Sequence, residues 1–373
     1  MCRALGAALG PRAAAVCFDP YERAWRPLGP GEEQNLASTA PAKARGARWS
    51  LAASLRGRLR RLRKSGDPLS VLESPSHEGP QGVVVPEIFS PAVARALPRL
   101  FAASAGPRIA LFHDALALQF PEYTPRSTVA RFPGYLQELL QFDGIAAVSE
   151  SSRDALLGYW KWLGAAGTPP VVAIPLGLDP APVPKVSRLD APPTVLCIGS
   201  LEGRKNHLAL LSACEALWER GRVFELHLLG LAHPETGAAA VRQITALRVK
   251  GRPVCYPGPA TELELETAYE NAAFTVYPSL AEGFGLPVAE SLARGRPCLC
   301  RFAGALGEIA RGGGCVDLGA AGPAEIAAAI DGVLTSPARL SSLQEEARGR
   351  TFKTWPAYAS ELVAWMGTLP GHP

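Results

Sequence analysis

The sequence predicts an α/β protein made of two doubly wound domains, each a parallel sheet flanked by helices. Three observations carry that prediction. Short apolar runs of strand length alternate with helical patterns along most of the chain. At 373 residues the chain is longer than one core usually organises. A proline-rich stretch, Pro180-Ala-Pro-Val-Pro-Lys-Val-Ser-Arg-Leu-Asp-Ala-Pro-Pro193, divides it and reads as a linker.

Strands of a first sheet are expected at Ala13–Phe18, Gly82–Val85, Arg108–Phe112, Gly144–Val148 and Val171–Ile174, within a domain spanning 1–179. After the linker (180–193), a second sheet is expected from Thr194–Ile198, Glu225–Leu229, Val254–Tyr256, Phe274–Tyr277, Pro297–Cys300 and Gly314–Val316, in a domain spanning 194–350. Intervening helices include Ser152–Trp160, Glu262–Asn271, Pro287–Arg294 and Pro323–Leu334, and a last one over Phe352–Met366.

The segment Pro278-Ser-Leu-Ala-Glu282-Gly-Phe-Gly-Leu-Pro-Val-Ala-Glu290 says most about chemistry. It reads as a strand end, a glycine-rich loop and a helix opening at Pro287, where a missing N–H costs nothing. Gly283 and Gly285 would let bare backbone approach a ligand, and the helix start behind them aims amides at an anion. Glu282 at the loop mouth and Glu290 on the helix would suit a ligand bearing both phosphate and hydroxyls. The plainer reading makes Glu290 a first-turn acid favoured by the helix dipole and Glu282 a solvated loop residue.

A second segment, Gly199-Ser200-Leu-Glu-Gly-Arg204-Lys205-Asn-His207, joins the strand Thr194–Ile198 to a helical pattern through Leu208, Leu211, Ala213, Leu217 and Trp218. Arg204 and Lys205 would place two cations where a diphosphate sits. On an arbitrary loop such a pair is usually only solvated.

Together these segments resemble the C-terminal half of glycosyltransferase family 4, retaining enzymes of GT-B fold. Ile174-Pro-Leu-Gly-Leu-Asp179, Phe112-His113-Asp114 and Val148-Ser149-Glu-Ser-Ser152 add to the likeness, which covers about Ile109 to the C-terminus. Gly304-Ala-Leu-Gly-Glu308-Ile309 is similar to the form seen in mannosyltransferases of bacterial surface-polysaccharide assembly. The resemblance implies two Rossmann-like domains facing across a cleft, with 351–373 crossing back to the first. It implies a hexose, mannose favoured, moved from a nucleotide-sugar donor to a glycan or polyprenyl-linked acceptor with retained configuration. Arg204 and Lys205 would neutralise the donor diphosphate. Glu282 and His113 would touch the transferred sugar, and Glu290 the ribose. Gly199, Ser200 and the backbone of Gly283, Phe284, Gly285 and Leu286 would hold phosphate and hydroxyls, with the base near Tyr256–Gly258. No metal and no cofactor is expected. Ser149 reads equally as a helix cap, and Glu308 as a residue that only fixes its loop. An epimerase or phosphorylase of similar architecture, or a weakly active binding homologue, remains the alternative.

Composition bounds the rest. Hydrophobic residues make up 47% and charged residues 19%, which fits a well-cored soluble protein. No apolar run reaches the ~18 residues of a membrane span. Eight cysteines lack metal-type spacing and read as reduced thiols, pointing to the cytoplasm. Between Lys43 and Lys64 lie nine Lys or Arg and no acid, with Leu51, Leu55, Leu59 and Leu62 at helical spacing and Trp49 ahead. That pattern fits a basic helix lying peripherally on the inner face of a membrane, or an ordinary surface helix. No nucleic-acid motif accompanies it. The opening residues, Met1–Gly10, read as the helix that in the family follows a first strand and glycine loop, so a longer native N-terminus is an expectation. Ala, Gly, Pro and Arg usage points to a bacterium of high genomic G+C content.

Overall fold

The computed structural model describes residues 1–38, 50–62, 82–179 and 192–372. Most of the linker expected at 180–193, and the ends of the basic segment including Lys43, Trp49 and Lys64, lie outside the described residues.

The strands form three sheets. β1 (Val16–Asp19) and β2 (Ala24–Pro27) pair as an antiparallel hairpin. β3 (Val83–Val85), β4 (Arg108–Phe112), β5 (Gly144–Ala147) and β6 (Val171–Ala173) form a parallel sheet in chain order. β7 (Thr194–Ile198), β8 (Glu225–Leu229), β9 (Val254–Gly258), β10 (Ala272–Tyr277), β11 (Cys298–Cys300) and β12 (Cys315–Asp317) form a parallel sheet ordered β12-β11-β10-β7-β8-β9. The α/β expectation holds for both lobes. One strand is corrected: the run at Ala13–Phe18 contributes not to the first sheet but to the hairpin. Buried Arg26 joins the two hairpin strands by binding Asp19 at 3.2 Å and fastens them to the following helix, Pro30–Ala37, by binding Glu32 at 2.7 Å.

Each of the two parallel sheets is covered on both faces, as parallel sheets require. Along β4, Ile109 and Leu111 face one core, while Ala110 and Phe112 face another built with Phe132, Leu136 and Trp160. The first of these cores is closed by the N-terminal helix Cys2–Leu9, through Leu5, and by the final helix Trp355–Met366, through Tyr358 and Leu362. The chain's last helix therefore packs on the first lobe. The two crossings between lobes lie side by side: Leu178 N donates to Lys353 O at 2.8 Å, in a parallel bridge pairing Leu178 with Thr354.

In the second sheet the strand order turns back between β7 and β10. Strands of opposite winding there leave a crevice beyond their carboxyl ends, which is where open α/β sheets bind ligands. Those two ends run into Gly199 and Pro278, the starts of the two singled-out segments.

Candidate active site

Gly199 leaves β7 at φ 145° and Gly230 leaves β8 at φ 149°, where a Cβ would fall 2.0 Å from Gly199 O. Bare backbone on both strands lets the chain turn tightly at the crevice. The turn Gly203–Lys205 follows, and Asn206 enters the helix His207–Glu219 in the left-handed region (φ 58°). Asparagine tolerates that conformation, and its amide anchors on Ala321 O at 2.8 Å.

The loop after β10 lies against this turn. Leu280 N donates to Arg204 O at 2.8 Å. Glu282 then receives both cations: Arg204 Nη1 lies 2.8 Å from Oε2, and Lys205 Nζ 2.6 Å from Oε1. Tyr277 OH donates to Oε1 at 2.8 Å, and Ser279 Oγ bonds the same oxygen. Lys205 also donates to Tyr277 OH and lies 4.7 Å from that ring's centroid. Glu202 sits 3.5 Å from Arg204 Nε and takes the Ser200 hydroxyl.

The electrostatics follow from this packing. Burial pushes the Glu282 carboxyl up, but Lys205 and Arg204 overrule it and hold it at about 2. Burial draws Lys205 below its ordinary value, with Arg204 adding to the pull and Glu282 opposing it. Burial opposes charge on Arg204 too, yet Glu282 and Glu202 keep it protonated. Its side chain retains 20% exposure against 9% for Lys205, so Arg204 is the cation that reaches the cleft. The sequence reading assigned Glu282 to a sugar; the structure places its carboxylate on the cations.

Glu290 stands on the helix Leu286–Ala293, at whose start Pro287 carries no N–H and Val288 N donates to Gly285 O at 3.0 Å. Burial pushes its carboxyl up, while Arg294 and a 3.3 Å bond from Tyr269 OH pull it down. Tyr256 OH holds Gly230 O at 3.0 Å, and Gly258 leaves β9 at φ 98°.

The first lobe meets this site directly. A Cβ on Gly283 would fall 2.2 Å from His113 O, so Gly283 lets two backbones touch across the cleft. The bare side of Gly283 thus faces the first lobe, beside whatever its amide holds. Gly285, at φ 106°, has its open side filled by Leu306. Phe284 and Leu286 pack into apolar clusters of both lobes. His113 Nε2 bonds Pro86 O at 2.8 Å. Ser149 caps the helix Glu150–Leu163 through Ser152 N at 3.0 Å and also donates to Gly283 O at 2.6 Å. Ser152 Oγ donates to the same carbonyl at 3.0 Å.

Tyr277, Ser279 and Tyr123 escaped the sequence reading, and Asp114 and Glu308 make contacts it did not foresee. Tyr277 and Ser279 flank Glu282 closely, but nothing in a strand end marks them as its partners. Tyr123 covers Gly203 from the first lobe, 2.7 Å from where its Cβ would be. Asp114, beside His113, is raised by burial and feels both Arg204 and Glu282. Glu308 does more than fix its loop: Glu150 N and Ser151 N donate to its two oxygens at 3.0 and 2.7 Å across the cleft. Among the described residues no cluster of His, Cys, Asp or Glu offers a metal site.

Two lobes, one on a parallel sheet in chain order and one on a doubly wound parallel sheet, facing across this cleft, have the architecture of GT-B glycosyltransferases. The solved sucrose-phosphate synthase from Thermosynechococcus elongatus matches with TM-score 0.65 at 17% identity, covering 98% of this chain and 90% of that one. Anabaena Alr3699/HepE, in complex with UDP and glucose, matches with TM-score 0.62 at 16% identity, over 77% of this chain and 78% of the other. Residues 192–336 match the family described as Glycosyl transferases group 1. The O-antigen chain mannosyltransferase B of Escherichia coli is 28% identical over 216 residues, 56% of each chain. The serotype-specific mannosyltransferase WbdA of Escherichia coli is 26% identical over 237 residues, 59% of this chain and 29% of that one. The match thus spans only about half, or less, of these relatives' length. The fold is thus that of these GT-B neighbours, and over the part it shares with them the chain is similar to mannosyltransferases.

Proposed function

We propose that the protein moves a hexose, with mannose favoured, from a nucleoside diphosphate sugar to a glycan or polyprenyl-linked acceptor on the cytoplasmic side, with retained configuration, in bacterial lipopolysaccharide or other surface-polysaccharide assembly. The observation that carries this reading is the meeting of Arg204, Lys205 and the Glu282–Leu286 loop at the switch point. Cations from one crossover and a glycine-bearing loop opening a helix from another converge there, which suits a pyrophosphate. The mannosyltransferase names of the relatives and the UDP and glucose in one structural neighbour point the same way.

In this reading Arg204 contacts the diphosphate, and Lys205 supports it with charge from behind. Glu282 holds both cations in position, leaving the amides of Gly283–Leu286 for phosphate and sugar oxygens. Gly199 and Ser200 line the phosphate path. Glu290 accepts from ribose hydroxyls, with the base along Tyr256–Gly258. A neutral His113 that donates Nε2–H to Pro86 O has an unprotonated Nδ1, an acceptor for a sugar hydroxyl. As the glycosidic C–O bond breaks, charge on the departing diphosphate is met by fixed cations, and its oxygen takes the acceptor's proton as the new bond forms on the same face. No covalent nucleophile or metal is required.

The test is incubation with GDP-, UDP- and ADP-sugars, reading nucleoside diphosphate release and the anomer of the released sugar by NMR. Release from one donor with the original anomer retained is expected. Neither binding nor release with any donor, or an inverted product, overturns the proposal.

A further inference from the structure

The helix Leu51–Leu62 carries its leucines outward. Leu51, Leu55, Leu59 and Leu62 are 84, 59, 55 and 81% exposed. Their spacing puts all four on one face, the face a globular protein normally turns inward. The helix is held by its other side. Gly57 is its buried residue, and a Cβ there would fall 2.9 Å from both Asp19 Oδ1 and Tyr21 Cβ, in the turn joining β1 to β2. Arg58 lies over the Tyr21 ring at 5.7 Å, and Arg60 is 3.8 Å from Glu22. A glycine at the contact lets the backbone seat closely, so the leucine face points away from the first lobe.

The helix also holds Arg56, Arg58, Arg60 and Arg61 and no acid. We infer that it lies in the surface plane of a bilayer rich in anionic lipid, with leucines in the acyl boundary and arginines among the headgroups. Charge decides the occupant. A second copy would bring the same four arginines against each other, whereas acidic headgroups complement them. A nucleic acid would meet leucines rather than stacking aromatics. Because the hairpin is fixed to the first lobe through Trp25, whose indole donates to Ala96 O at 2.8 Å, the bilayer would hold the acceptor-side lobe.

The test is co-sedimentation of the full chain with phosphatidylcholine vesicles and with vesicles rich in phosphatidylglycerol, at low and high salt. Binding to the anionic vesicles is expected to be roughly tenfold stronger or more, and to weaken with salt. Arg56→Gln with Arg61→Gln should remove most of that preference, and Leu55→Ser with Leu59→Ser should release the protein from both. Circular dichroism and donor hydrolysis in vesicle-free buffer should be unchanged in both variants, which separates failure here from failure of the glycosyl-transfer reading. Equal binding to the two vesicle types, no binding, or a leucine-dependent dimer that ignores vesicles would overturn the inference.

Discussion

Glu308 in the second lobe accepts Ser151 N of the first lobe at 2.7 Å, so one carboxylate caps a helix to which its own lobe does not belong. With Glu150 N as a second donor, and the Ser149 and Ser152 hydroxyls on Gly283 O, the contacts that close the cleft gather beside the Glu282 loop. Lobe closure and loop position are thereby linked.

Glu308→Ala should cost the closed arrangement about 0.5–2 kcal/mol, the usual range for a lost cap. Ser149 still caps the helix, so folding should be spared. Steady-state kinetics should show a higher donor KM with a smaller change in kcat, and small-angle scattering a larger radius of gyration. Glu308→Gln, which keeps one acceptor, should recover part of the loss. Unchanged KM and radius in the alanine variant would show that this contact does not hold the lobes.

Gly283→Ala places a methyl group 2.2 Å from His113 O, a backbone atom that cannot swing aside. The lobes must part or the loop must shift. Turnover should fall by orders of magnitude while far-UV circular dichroism is preserved. Near-normal turnover would mean that the approach to His113 is dispensable.

Glu282 is held at about 2 by its two cations, against an ordinary 4.5. Its contribution to stability is complete above the ordinary value and is lost as pH falls toward the lower one. The wild-type Tm should therefore drop across that interval, and the Tm of Glu282→Gln should drop less. At neutral pH, loss of the carboxylate leaves buried Lys205 without its counter-charge and Arg204 with Glu202 alone, a cost of ~3–5 kcal/mol at most. Lys205, already lowered by burial, also loses its largest opposing neighbour. The alkaline limb of kcat/KM should move to lower pH in Glu282→Gln; a stationary limb would remove Lys205 from the rate-governing groups.

Glu290→Ala should weaken binding of a nucleoside diphosphate that lacks the sugar, because its proposed partner is ribose. Burial raises the Glu290 carboxyl, so in the wild type the ionised acceptor is lost as pH falls through that raised value and binding should weaken. Calorimetry over pH checks both. Equal affinity in wild type and variant would leave Glu290 as a helix-terminus charge.

Much of the architecture was legible. The bounds of β4, β7 and β8, and of the helices Glu262–Asn271 and Pro323–Leu334, follow from apolar runs closed by turn residues. The hairpin was not, because Ala13–Phe18 has the same apolar look as a sheet strand and only pairing with Ala24–Pro27 distinguishes them. Within the site, the cations and both glutamates stood out by spacing. The roles of Gly283 and Glu308 did not, since each is defined by a backbone group in the other lobe, far off in sequence. For Ser151 the separation is 157 positions.

The adjoining crossings at Leu178 and Thr354 limit how the halves can travel. A single tether would let them drift and twist in any direction. Two connecting threads bonded to each other, with Gly177 so tight on Trp355 that a Cβ would sit 2.6 Å from its backbone, make a pin. Any opening would then be a swing about that pin rather than a sideways slide, and closing would bring Gly283 back to the same carbonyl.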